Sequence, residues 1–167
     1  MATVRHSYFP CDAGYPASNY AAFSSVQGTN FPVDYLSFDA TTEEAAYFTF
    51  PAINYGSGNV TVRVYWNSAA ATSGGVAFGA SLAAITPDTD TQDVETKGFD
   101  TEAVGTDTHL GTTAKRIHSF TIAVTATDSI ASNDEVRLKL ARKVADAGDT
   151  MTGDCRVLQI DLEYSDT

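Results

Sequence analysis

His6, His109 and His118 are the side chains of this 167-residue chain best suited to proton transfer near neutrality. They fall in an N-terminal segment, a loop and a strand, and no HExxH, GxSxG or GxxxxGK[ST] spacing accompanies them. Catalysis needs a nucleophile, a base and stabilising donors to converge, and nothing in this spacing converges. The reading is a protein that is not an enzyme. His118 alternates onto the same strand face as Phe120, which predicts a core or interface histidine.

Hard-cation chemistry is the next test. Asp88-Thr89-Asp90 opens like a calcium loop, but Asp93 stands where an EF-hand needs glycine and Phe99 where it needs a bidentate glutamate. The stretch reads as a solvated acidic loop, so neither metal nor other cofactor is expected. Asp146 to Asp154 is rich in glycine and aspartate and reads as a hairpin-like connection. Cys11 and Cys155 lie at opposite ends of the chain without a CxxC pair, and read as two small apolar side chains. Aromatic rings can stack on sugar faces, which makes Tyr47, Tyr55 and Tyr65 candidates for glycan contact. Trp66 follows the apolar alternation of its strand and is expected in the core.

Charge narrows the partners. Ten basic residues against 21 acidic ones give a formal charge of −11, with basic pairs only at Lys115-Arg116 and Arg142-Lys143. A phosphate backbone requires clustered cations, so no nucleic-acid partner is expected. No apolar run approaches the ~20 residues of a membrane span, and Met1 to Tyr8 lacks the apolar run of a signal peptide. A chain folding in a reducing cytosol, away from membranes, is the expectation.

These residues must be positioned by strands. Asn59 to Trp66 alternates strictly, with Val60, Val62, Val64 and Trp66 on one face. Tyr35–Phe38, Ala45–Phe50, Val76–Ala84, Ile117–Thr125, Glu135–Arg142 and Val157–Tyr164 carry similar signatures. In the third of these, Ala77, Gly79, Ser81 and Ala83 are small enough for close approach by another layer or a neighbouring subunit. Residues 88–113 show no apolar periodicity, with Val94 and Phe99 as isolated apolar islands. Residues 1–34 hold many aromatics among prolines and glycines and follow neither period, which predicts an irregular N-terminal arm. The fold class expected is all-β: an antiparallel, jelly-roll-like β-sandwich over 35–167, of seven or eight strands, preceded by that arm.

The segment Leu36 to Phe48, with Glu43-Glu44 leading into an aromatic strand, resembles small β-sandwich virion proteins of tailed bacteriophages and prophages. Further marks are the turn Ala71 to Gly75, Asp128-Ser129-Ile130, Asp134 to Leu138 and the Asp149 to Asp154 turn. The resemblance spans about 35–164 and implies a capsid decoration, or cement, protein on the outer shell, assembled in the bacterial host cytoplasm. It further implies the major capsid protein as partner and a homotrimer that bridges capsomers by many weak contacts. The capsid-facing candidates are Arg5, His6, Tyr8, Phe9, Tyr15, Tyr20 and Phe23 in the arm. The alternative is a tail- or baseplate-associated module that binds a receptor or glycan through exposed tyrosines and the acidic loop.

Overall fold

The computed structural model describes residues 2–166. Ten strands follow in chain order: β1 (Thr3–Tyr8), β2 (Ala22–Gln27), β3 (Pro32–Phe38), β4 (Ala45–Pro51), β5 (Tyr55–Ser68), β6 (Gly75–Ile85), β7 (Ala103–Thr108), β8 (His118–Val124), β9 (Glu135–Arg142) and β10 (Cys155–Asp166). A single 3-10 turn, Pro10–Asp12, is the one helical element among the described residues. All strand pairs are antiparallel. The first sheet runs β2-β3-β10-β5-β8 with β1 also beside β10, and the second runs β4-β9-β6-β7. This is the expected two-layer antiparallel sandwich.

Alternation decides which side chains meet between the layers. Val60, Val62, Val64 and Trp66 of β5 are fully buried and face Phe48, Phe50, Phe78, Leu82, Leu138 and Leu140 from the second sheet. Phe38 meets Phe78 edge-on across the layers, with ring centroids 5.1 Å apart, the geometry that the ring quadrupoles favour. At the edge of the second sheet Gly105 has no room for a side chain, because Ile122 and Phe120 of β8 lie against it.

The first 34 residues are more regular than expected. β1 pairs with Ile160–Ser165 and β2 forms a hairpin with β3, leaving 9–21 as the irregular part. The aromatics hid this: β1 alternates Val4, His6 and Tyr8 inward, a mixed pattern that a search for apolar runs overlooks. β7 is likewise new, a polar edge strand inside the stretch expected to be loop. Cys155 is buried as expected, whereas Cys11 is exposed on the 3-10 turn, and both thiols are free.

One charged group sits inside. Arg142 ends β9 with its side chain fully buried, and its guanidinium uses every N–H. Nε and Nη2 donate to the two carboxylate oxygens of Asp149 at 2.9 and 2.8 Å. Nη2 also reaches the Met151 carbonyl at 2.9 Å, while Nη1 reaches the carbonyls of Gly153, Phe38 and Asp39 at 3.0, 3.3 and 3.3 Å. The turn 143–154 is therefore strapped to the end of β3 by a planar five-donor fork, which lysine could not supply. Replacing Arg142 by Met leaves Asp149 buried without its partner, and we expect a loss of about 3–5 kcal/mol in urea-induced unfolding.

Candidate functional site

The outward side chains of the second sheet form rows across its strands. Register places Tyr47 of β4 beside Lys139 of β9 and Ser81 of β6, and Thr49 beside Arg137 and Ala83. Two irregular segments rise on either side of these rows. On one side residues 14–21 run along the edge of β4, with Gly14 and Tyr47 exchanging backbone hydrogen bonds of 2.8 and 3.0 Å. On the other, residues 86–102 fold back over β6, and the Asp100 N–H donates to the Leu82 carbonyl at 2.9 Å.

The small residues of β6 make that return possible. The Glu102 carboxylate occupies the space where a Gly79 side chain would be. Of the two expectations for Ala77, Gly79, Ser81 and Ala83, another layer or a neighbouring subunit, the structure shows the first: the chain's own segment makes the close approach. Small side chains permit a close layer without saying whose layer it is.

Between the two walls lies a groove. One hollow of about 310 Å³ is lined by Tyr15, Tyr47, Thr49, Ala83, Val94, Glu95, Lys97, Phe99 and Arg137. A second of about 560 Å³ adds Ser7, Tyr8 and Asp12. Both share Gly14, Tyr47, Thr49 and Arg137, which makes them halves of one trough. Tyr47, standing up from β4, leans against Phe99 of the 86–102 wall, with centroids 5.8 Å apart, and Tyr15 packs edge-on against Tyr20 at 5.6 Å.

The wall formed by 86–102 is braced from behind. Lys97 Nζ lies 2.8 Å from Asp128 Oδ2, which also accepts the Ala84 N–H at 2.7 Å. The Asp128 N–H in turn donates to Asp100 at 3.0 Å. Arg137 donates Nη2 to Glu135 at 2.6 Å, and its Nε has no partner among the described residues. Burial, then the Asp12 and Tyr164 charges, pushes the Tyr8 phenol far above its ordinary range, and burial with Cys11 also raises Tyr15. Both stay neutral hydroxyls that can donate and accept. The groove therefore combines aromatic faces with hydrogen-bonding groups. Among the described residues no cluster of three or more His, Cys, Asp or Glu could hold a metal ion.

The seven arm residues scatter over this architecture. Tyr8 and Tyr15 line the groove and Tyr20 packs behind Tyr15. Arg5 pairs with Glu163 on the outer face of the first sheet. His6 turns inward, 3.2 Å from the Tyr164 hydroxyl and against Phe50. Phe9 and Phe23 are exposed elsewhere, Phe9 beside Phe31 and Ile117 and Phe23 on β2. Of the three candidate tyrosines only Tyr47 reaches the groove. Tyr55 is buried and donates to the Gly58 carbonyl, and Tyr65 donates to Asp161 on the other sheet. Sequence reading missed Thr49, Lys97, Phe99 and Arg137 as a set. The usable signal was that Phe99 is a lone aromatic in an otherwise polar stretch.

No protein-family model matches the chain, and no curated protein sequence matches it. Solved structures do. The CBM36-1 domain of a multidomain xylanase from the hindgut metagenome of Trinervitermes trinervoides superposes with a TM-score of 0.52 at 9% identity, over 98% of this chain and 100% of that one. The mannan-recognising module TmCBM27 gives 0.49 at 6% identity over 99% of each chain. A CBM36 module in complex with calcium and xylotriose gives 0.47 at 15% identity, over 94% and 98%. The likeness to the first of these shows that the chain has the β-sandwich fold found in carbohydrate-binding modules.

Proposed function

We propose that this protein is a non-catalytic glycan-binding module, and that the trough on the outer face of the second sheet holds the sugar chain. The observation that carries the reading is the placement of the Tyr15, Tyr47 and Phe99 rings around Thr49 and Arg137 on the floor. Aromatic walls desolvate and stack against the C–H faces of sugar rings, while a few polar groups set orientation. The sandwich shared with a carbohydrate-binding module supports the same conclusion at the level of fold.

Charge favours an uncharged polysaccharide. Arg137 and Lys97 are offset in the lining by Glu95 and Asp12, and each cation already faces a carboxylate, Glu135 or Asp128. A polyanion would meet no surplus positive charge there, on a chain of −11. Hydroxyl groups can use both signs, accepting from guanidinium and donating to carboxylate.

Two substitutions test the site. Tyr47→Ala removes one of these rings without touching the core, and should weaken retention in affinity gels cast with xylan, mannan or mixed-linked β-glucan by about tenfold or more, the equivalent of ~1.4 kcal/mol. Unchanged mobility of wild type in all such gels contradicts the reading. Lys97→Met cuts the brace behind the second wall, and amide exchange over 93–100 should accelerate about tenfold with circular dichroism preserved.

A further inference from the structure

Away from the groove, a pair of histidines closes one end of the sandwich. His109 follows β7 and His118 opens β8; both are 5% exposed, and their ring centroids lie 4.4 Å apart. Trp66 packs on them, 4.7 Å from His118 and 6.0 Å from His109, with its indole N–H donating to Asp107 at 2.9 Å.

The hydrogen bonds specify the protonation state of His109. Its Nδ1 accepts the Gly111 N–H at 3.0 Å, so that nitrogen carries no proton. Its Nε2 lies 3.1 Å from the Ala114 carbonyl and must donate to it. The ring is therefore neutral while it holds the loop, and a proton on Nδ1 would set N–H against N–H. His118 offers no better seat for charge. Its Nε2 is buried and lacks a partner among the described residues, and an imidazolium there would need one. Burial first, and then His109, holds His118 below the ordinary histidine range; Arg116 acts in the same direction and Asp107 against it. The loop between the two rings also contains Thr112 at φ +67°, a left-handed conformation that a β-branched residue adopts only under constraint.

We propose that the 109–117 loop is an acid-released latch, closed while His109 and His118 are neutral and open once the pair takes up a proton. The open loop binds more protons than the closed one. Closure is therefore fully present above the ordinary histidine pKa of ~6.5 and is lost as the pH falls below it. Release uncovers the indole of Trp66, the only tryptophan in the chain.

That tryptophan is the reporter. The full chain is titrated from pH 8 to 5, reading Trp66 emission together with amide protection at Gly111 and circular dichroism. The latch predicts a change in emission and a fall in protection as the pH drops, while the strand signal stays constant. His109→Gln supplies a non-titrating acceptor and donor, and His118→Phe keeps the packing without the second charge. Both should flatten the titration, and if one fails to fold the other decides. Constant emission and protection in the wild type, or an unchanged transition in a folded variant, overturns the proposal.

Discussion

β6, at the middle of the second sheet, is covered on both faces, and the candidate site follows from that. β6 is buried along nearly its whole length, inward by Phe78, Leu82 and their neighbours and outward by the chain's own returning segment. A strand can carry a second layer at backbone distance only if its outward side chains are small, as Gly79 shows by yielding its place to Glu102. Because the returning segment meets β4 through Phe99 against Tyr47, a gap is left beside that contact over Thr49 and Arg137. Residues 14–21 raise the far wall, and the gap becomes a trough.

The first sheet shows the contrast. The polar centre of its outer face is occupied by the chain's own contacts, with an apolar hollow of Phe9, Phe31, Ile117 and Leu158 to one side. Asp161 is nearly inaccessible, accepting from Ser7 and Gln159 at 2.7 and 2.8 Å and from Tyr65 at 3.1 Å. Burial opposes its charge, but these hydrogen bonds hold the carboxyl below its ordinary range. A face that satisfies its own polar groups in this way offers a ligand little that water does not. At the end of the sandwich Arg142 does similar internal work, tying connections between strands rather than reaching outward.

The layered architecture was legible because its cause is local. Val60 to Trp66 and Glu135 to Arg142 alternate with period two, and that period alone assigns their inner faces. β1 and β7 were not legible, since edge strands bury little and their mixed patterns carry no apolar signal. Of the groove, the sequence pointed to Tyr47 as a glycan contact and to Tyr8 and Tyr15 only as capsid-facing arm residues. Phe99 is separated from Tyr47 by half a hundred residues of chain, and their meeting depends on where a loop without periodicity returns. Arg137 looked like an ordinary outward charge on β9, and only its neighbours across the sheet turn it into the floor of a site.

An amide-resolved NMR titration with a soluble oligosaccharide, from whichever neutral polysaccharide retains the protein, tests the central claim most directly. The account predicts shifts concentrated at 14–15, 47–49, 94–99 and 137, with the outer face of the first sheet silent. Shifts centred on Tyr65, Gln159 and Asp161, with those four segments unmoved, would contradict it.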